Sequence, residues 1–239
     1  MKRIILHIDV NSAFLSWSAV KLLEEGYKKD IRNEIAVVAG DPKKRHGIIV
    51  AASIPAKKLG IKAPINLYEA RRKYKDLIVV KPDYSYYYQK SKSMMDFLKK
   101  LFPEFQQYSI DECFIEYTSM KRIYGDEVKF AYKLKDEIYK RFGFTVNVGI
   151  GNNKLCAKMA SDFEKPDKIH TLYDYEVDTK MKNLPIDELF GIGKKTSEKL
   201  KQMGIKTIND LANYNLASLK KVFKNLAIDM INSANGINY

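Results

Sequence analysis

The chain has 239 residues, enough for one large domain or for two or three small ones with cores of their own, and its 46% hydrophobic and 30% charged residues exclude a disordered chain. Forty-two basic against 29 acidic residues leave a formal charge of +13, an excess that signals a polyanionic partner such as nucleic acid, an anionic membrane surface or the ribosome. The excess is uneven: residues 1–82 hold 17 Lys/Arg against 8 Asp/Glu, while residues 173–239 hold 10 against 8.

Residues 3–9 (RIILHID) predict a buried strand. His7 and Asp9 break its apolar run too early for a signal peptide. Residues 12–24 follow as a helix, with Ala13, Trp17 and Val20 on one side, Leu15, Ala19, Leu22 and Leu23 on the other, and Gly26 as its stop. IAVVAG (35–40) and GIIVAAS (47–53) read as strands joined by a basic turn with Lys43, Lys44 and Arg45. A short helix runs from Pro55 to Leu59, and LIVV (77–80) is another strand. A long helix is expected from Ser85 to about Leu101, where the Tyr-rich SYYY (85–88) reads as core and flank before it reads as a base-stacking platform. QQYSI (106–110) and CFIEYT (113–118) then form a hairpin whose turn carries Asp111 and Glu112. Phe130, Leu134, Ile138 and Phe142 mark a further helix, FTVNVGI (144–150) a strand, and Asn152 or Asn153 caps a helix bearing Leu155, Met159 and Phe163. Strands and helices alternate up to a boundary near Leu172, beyond which only short helices are expected, so the fold class is α+β. Cys113 and Cys156 have neither a CxxC nor a zinc spacing and read as free thiols. No apolar stretch approaches the ~20 residues of a membrane span. The expected compartment is the cytoplasm and the expected state a monomer.

Three acids stand where apolar structure should not hold them. Asp9 ends a buried strand, and Asp111-Glu112 interrupts an apolar hairpin. A buried carboxylate is costly unless it is paired or binds metal. Neighbouring residues of a regular strand point to opposite faces, so Asp111 and Glu112 can converge only at a turn or bulge. Convergent carboxylates without His or Cys suit Mg²⁺, and two such ions about 4 Å apart support phosphoryl transfer. The other reading is local: Asp9 caps the helix near Ser12 and Asp111 shapes the turn. Spacing alone leaves both open, and nucleases and nucleotide cyclases share such a site.

Asp9-Val-Asn-Ser-Ala-Phe14, followed about a hundred residues later by Ser109-Ile-Asp-Glu112, resembles the Y-family of DNA polymerases, the group of polymerases IV and V. AKKLGIKA (56–63), LYEARRKY (67–74), TVNVGIGNNKLCAKMASDFEKPD (145–167) and FGIGKKTSEKLKQMGI (190–205) look like successive blocks of that family, in order, over essentially the whole chain. The resemblance implies a right-hand polymerase core: a palm from residues 1–18 and 83–172, fingers from 19–82, and a helical thumb from 173–239. It also implies that Asp9, Asp111 and Glu112, with the Val10 carbonyl, hold two Mg²⁺ ions while a primer 3′-hydroxyl attacks the α-phosphate of a dNTP. Phe14 matches the family's steric gate against a 2′-hydroxyl, although by itself it reads as a core aromatic one turn from Trp17. Lys165 and Lys57 match residues that contact the triphosphate, Lys57 where many members carry Arg, which a point charge replaces imperfectly. Ala51 and Ile54 stand where many members have Thr and Tyr. Those departures, with DVNSAF, look closer to polymerase V than to a typical polymerase IV, and small residues there leave an open pocket suited to damaged templates.

GIGKKT (191–196) fails the Walker pattern because position 188 is Glu. The surrounding LPIDELFGIGKKTSEKLKQMGI instead fits a helix–hairpin–helix. There Gly191 and Gly193 bring backbone N–H groups to a DNA phosphate at a helix N-terminus, and Lys194 and Lys195 add charge. The chain ends at NGINY (235–239), about where family members enter the linker to the little finger. The resemblance therefore implies a core without that domain, and any sliding clamp would be reached through a C-terminal region beyond it. Three functions compete: a template-directed, lesion-tolerant polymerase core on primer-template DNA, another two-metal palm enzyme, and a non-catalytic DNA-binding module. The second leaves Phe14 and the hairpin unexplained, and the third strands three acids beside bound phosphates.

Overall fold

A computed structural model describes residues 2–40 and 47–238; Lys43, Lys44 and Arg45 lie outside the described residues. The elements in chain order are β1 (Ile5–Val10), α1 (Ala13–Glu24), β2 (Ala36–Ala39), β3 (Ile49–Ala52), α2 (Ile54–Lys58), α3 (Leu67–Lys73), β4 (Ile78–Val80) and α4 (Tyr84–Leu101). They continue with β5 (Phe105–Gln107), β6 (Glu112–Glu116), α5 (Lys121–Tyr124), α6 (Glu127–Phe142), β7 (Val146–Gly151), α7 (Lys154–Asp162) and β8 (Ile169–Leu172). The last are α8 (Lys194–Gln202), α9 (Ile208–Ala212), α10 (Leu216–Phe223) and α11 (Leu226–Ala234).

β1 is the middle of a five-stranded sheet of order β5-β6-β1-β7-β8, antiparallel except for the parallel β7–β8 pair. All six β1 residues are buried because both faces of the strand are covered. Leu6, Ile8 and Val10 enter a core built with α1, α4 and α6. On the opposite face α7 crosses the sheet, and Ile5 packs there with Phe114 and Ala157. Alternation along β1 therefore separates a wholly apolar face from one carrying His7 and Asp9.

A second sheet, β3-β2-β4, has β2 antiparallel to β3 and parallel to β4. Helix α1 belongs to both layers. Ala13, Trp17 and Val20 pack into the first core, while Leu15 and Ala19 pack with Ile31, Ala36 and Val38 beside the second sheet. Leu22 packs against that cluster, whereas Leu23, expected on the same side, is 39% exposed. After Leu172 the described residues form helices and helical turns, with one isolated antiparallel bridge between Pro185 and Thr207. Their core reaches back to Leu155, Cys156 and Met159 of α7, so α7 too is shared. Cys113 and Cys156 are buried free thiols.

Three short elements were not anticipated. α3 and α5 are too short for a periodic signal, and β8 (IHTL) is fully buried only at Leu172 and exists through its pairing with β7. Glu112 is the first residue of β6 and not part of the turn, which leaves Asp111 alone in the bend. Strand pairing of Glu112 with Asp9 extends β6 by that residue. Asp9 does not cap α1, whose N-cap Ser12 adopts the left-handed conformation (φ 47°, ψ 54°) without a side-chain cap. Asn153, not Asn152, caps α7, its side chain accepting from Cys156 N at 2.8 Å.

Gly149 and Gly151 set how closely α7 approaches the sheet. A Cβ on Gly149 would lie 1.9 Å from the Ala157 carbonyl oxygen and 2.4 Å from Ser161 N, and one on Gly151 would lie 2.7 Å from Ala157 N. These are backbone atoms that cannot swing aside, so either side chain would have to lift the helix. Gly149→Ala is expected to destabilise the fold by about 3 kcal/mol or more, at the upper end of overpacking costs, measured as a shift of the denaturant midpoint. Gly193→Ala, where nothing lies within 4 Å of an added Cβ, should stay within about 1 kcal/mol of the parent.

Candidate active site

On the α7-facing side of the sheet, β1 aligns three rungs with its neighbours: Glu116–Ile5–Gly151, Phe114–His7–Gly149 and Glu112–Asp9–Asn147. Side chains directly opposite in an antiparallel pair share a face with Cβ atoms about 4.5–5.5 Å apart, so Asp9 and Glu112 are neighbours by register. Asp111 escapes alternation because it sits in the bend before β6. Its main-chain oxygen accepts from Val10 N at 3.1 Å, and its Oδ1 accepts from the Ser109 hydroxyl at 2.6 Å. The two distant acidic segments therefore meet at one end of the sheet.

Asp9 is 5% exposed and pairs with Lys165, which also bonds Asp162 at 2.7 Å. Glu112 Oε1 accepts from Lys158 at 2.7 Å, and Lys158 is itself 8% exposed. The two carboxylates differ in character. Burial raises Asp9 above the ordinary carboxylate range against the pull of Lys165 and Lys158. Burial also works to raise Glu112, but His7 and Lys158 outweigh it and hold it down to about 2. Burial works to lower both lysines, and their acidic partners raise them in spite of it. The acids thus already hold two cations, in the form of ammonium groups. Among the described residues no group of three or more His, Cys, Asp or Glu side chains is placed to hold a metal ion.

A network of amides places Lys165. Asn147 Nδ2 donates to the carbonyls of Ser161 at 2.8 Å and Glu164 at 2.7 Å, and its Oδ1 accepts from Asn11 Nδ2 at 3.0 Å and Lys168 N at 3.1 Å. Asn11 Oδ1 accepts from Asp167 N at 2.9 Å. The loop after α7 is thereby tied to β7 and to Asn11, just past β1, on both sides of Lys165, which places its partly exposed ammonium against Asp9.

Beside the acids, a cleft of about 460 Å³ between α1 and the second sheet is lined by Phe14, Ala51, Lys57, Lys62 and Asp111, among others. Phe14 stacks on Tyr87 at a centroid distance of 5.1 Å and lies edge-on to Tyr84 at 5.9 Å. It is therefore both flank of the core and wall of the cleft. Within the SYYY run, Tyr87 is buried and Tyr88 is 62% exposed. Lys57 donates to the Ser12 hydroxyl at 3.2 Å. Burial, and then repulsion from Lys165 and Lys62, lowers its pKa. Ala51 is on the cleft wall, whereas Ile54 starts α2 and is 44% exposed.

Gly191, Gly193, Lys194 and Lys195 lie apart from the acids, in the helical region, joined to the sheet through ring contacts such as Tyr108–Phe190 at 6.3 Å. Ile186–Glu188 forms one 3₁₀ turn and α8 starts at Lys194. Gly191 has φ +91°, a conformation that requires glycine, while Gly193 is extended at φ −78°. Lys194 and Lys195 are exposed on the first turn of α8. Sequence reasoning passed over Lys158, His7 and Ser161. Their signal was a lysine and a serine inside the small and apolar run LCAKMAS, and a histidine at the same parity as Asp9 in β1.

The sequence matches the family described as impB/mucB/samB over residues 8–162 and the IMS family HHH motif over residues 175–205. DNA polymerase IV of Clostridium acetobutylicum is 48% identical over 238 residues, 99% of this chain and 60% of that protein. DNA polymerase IV of Clostridium kluyveri is 36% identical over 237 residues, 99% of this chain and 58% of that protein. The chain thus spans about three fifths of the length of these curated relatives. Among solved structures, DinB from Sulfolobus solfataricus matches with a TM-score of 0.83 at 26% identity, over 98% of this chain and 67% of that one. The insertion ternary complex of Dbh DNA polymerase matches with a TM-score of 0.84 at 27% identity, over 98% and 68%. The relatives named here are polymerase IV proteins, so Ala51 and Ile54 do not put this chain on the polymerase V side; two local replacements, one of them an exposed residue, weigh less than 48% identity along 238 residues. The sheet order, the shared helices and these matches together show that the chain belongs to the impB/mucB/samB family of Y-family DNA polymerases, with its palm, fingers and helix–hairpin–helix thumb architecture.

Proposed function

We propose that this chain is a template-directed DNA polymerase core that adds dNTPs to a primer 3′-hydroxyl and tolerates damaged template. The observation that carries the reading is the register pairing of Asp9 with Glu112, with Asp111 in the adjacent bend and on the wall of the cleft. The five-stranded sheet with α1, α4, α6 and α7 serves as palm (1–18 and 83–172), the second sheet as fingers (19–82), and residues 173–239 as thumb.

The acidic cluster fits hard divalent cations. Its donors are carboxylate oxygens, and Asp9 stays above the ordinary carboxylate range even beside an ammonium, so more positive charge would favour its anion. Asp9, Asp111, Glu112 and the Val10 carbonyl would hold two Mg²⁺ ions, whose chemistry is to activate a hydroxyl and offset charge on a leaving pyrophosphate. Lys57 and Lys165 bind the triphosphate of the dNTP, Lys57 from the cleft wall and Lys165 by leaving Asp9. Phe14, held by Tyr87 and Tyr84, lies under the sugar and blocks a 2′-hydroxyl. The alanines of the cleft wall leave room over the base pair. In the thumb, Gly191 and Gly193 admit a DNA phosphate to the start of α8, and Lys194 and Lys195 add sequence-independent charge.

Primer extension on a recessed duplex with Mg²⁺ and dNTPs tests the reading. Extension supports it, degradation of the duplex points to a nuclease, and a mobility shift without chemistry points to a binding module. Asp111→Ala with Glu112→Ala should lower extension by more than about 100-fold, beyond the ~10–100-fold cost of outer-shell changes, while duplex affinity stays within a few-fold. Phe14→Ala should cut discrimination against rNTPs by about 10–100-fold, the scale at which a packed pocket rejects an added hydroxyl; unchanged discrimination would remove Phe14 from this role. Lys194→Ala with Lys195→Ala should weaken duplex binding on any sequence and reduce the salt slope by about two, roughly one for each phosphate no longer neutralised.

A further inference from the structure

His7 is fully buried, and among the described residues its Nε2 has no hydrogen-bond partner. The ring packs on Phe114 at a centroid distance of 4.7 Å, Nδ1 is 2.8 Å from the Ser161 hydroxyl, and Nε2 faces Glu112 Oε2 at 3.7 Å. An orphaned polar atom in so enclosed a place calls for a reason. The atom it faces belongs to a proposed metal-holding carboxylate whose other oxygen is taken by Lys158 at 2.7 Å.

The tautomer decides what His7 does. Ser161 Oγ is 2.7 Å from the Lys158 carbonyl and 2.8 Å from Nδ1, so its one hydrogen goes to either. Donated to the carbonyl, it leaves Ser161 to accept from Nδ1–H, and the bare Nε2 then confronts a carboxylate oxygen, acceptor against acceptor. Donated to Nδ1, it leaves the hydrogen on Nε2, aimed at Glu112, and a neutral ring suffices. The Lys158 carbonyl lies within a helix whose ladder supplies a donor of its own, whereas Nε2 has only Glu112. At 3.7 Å Nε2 and Oε2 stand just beyond hydrogen-bond reach, so the donation requires a small shift of the Glu112 carboxylate toward the ring.

We propose that His7 is a positioning residue for Glu112, donating from Nε2 to its carboxylate, with Ser161 selecting that tautomer through Nδ1. The inference rests on the polymerase reading and deepens it: Lys158 and His7 clamp one oxygen each, so Glu112 is presented to a divalent cation in one orientation. Outer-shell partners of this kind fix ligands in place, and their loss typically costs about 10–100-fold in metal affinity or activity.

The test compares His7→Phe, which keeps a ring against Phe114 but donates nothing, with His7→Gln, whose amide nitrogen reaches as far as Nε2. Both are assayed for primer extension against Mg²⁺ concentration and for melting temperature. The expected result is that His7→Phe raises the Mg²⁺ needed for half-maximal extension and lowers kcat by about 10–100-fold, with the KM for dNTP little changed. His7→Gln should recover most of both. Equal losses in the two variants in step with melting temperature, or no loss in either, overturn the proposal. Should His7→Phe not fold, ¹⁵N NMR of the His7 ring in the unmodified chain decides independently of activity: hydrogen on Nε2 supports the proposal, and hydrogen on Nδ1 alone overturns it. An unmodified chain that fails to extend primers under any Mg²⁺ concentration would sink the polymerase reading itself, an outcome distinct from a His7→Phe variant that performs like its parent.

Discussion

Everything at the acidic end of this molecule depends on a strand that is buried on both faces. One face of β1 is apolar and carries the core through Leu6, Ile8 and Val10. The other puts Ile5, His7 and Asp9 under α7, with Glu112 brought opposite Asp9 by register. A slip of one residue in that pairing would exchange the faces and drive His7 and Asp9 into hydrocarbon. The apolar face therefore enforces the meeting of the acids. Gly149 and Gly151 complete the arrangement by letting the α7 backbone close on the sheet, which brings Lys158 and Ser161 to the rungs that need them.

Enclosure has opposite effects on the two acids. Glu112 has its pKa depressed from 4.5 to about 2. It contributes stability at neutral pH, and that contribution is lost as the pH falls through this interval. Asp9 is raised by burial, so its ionisation works against folding as the pH rises past the ordinary carboxylate range. One acid of the pair is comfortable as an anion and the other is held as an anion at a cost. Sites that bind charged ligands commonly carry such a cost, and here the lysine serving the costly acid is 37% exposed at its side chain. The lysine serving the comfortable acid is 10% exposed and built into a helix.

Most of the fold was legible because its signals are periodic. The apolar run of β1, the four-residue repeat of Phe130, Leu134, Ile138 and Phe142, and the two-sided pattern of α1 each correspond to a buried element. The acids were legible as chemistry out of place in apolar runs, and the resemblance supplied roles that spacing left open. What was not legible depends on long-range contact. β8 exists because β7 lies beside it, Glu112 joins a strand because Asp9 pairs with it, and α3 and α5 are too short to repeat. Lys158 and Ser161 looked like ordinary helix residues, since nothing in LCAKMAS says which face meets a sheet. His7 looked like an interruption of a hydrophobic strand; alternation already put it on the face of Asp9, and the register adds that Glu112 lies opposite Asp9 on that face.

The geometry of the cleft follows from helices that serve two cores at once. α1 presents Trp17 to one core and Leu15 and Ala19 to another, so the two sheets cannot separate without stripping one side of a helix whose first turn holds Phe14. α7 is bound in the same way, with Ala157 against the sheet and Leu155, Cys156 and Met159 in the helical core. Relative motion of these parts would expose large apolar side chains at about 1.5–3 kcal/mol each. The long basic side chains Lys57, on the cleft wall, and Lys165, against Asp9, are carried on these fixed backbones. In the proposed polymerase reading, only those side chains have to move for charge to be rearranged around an incoming anion, and neither core is unpacked.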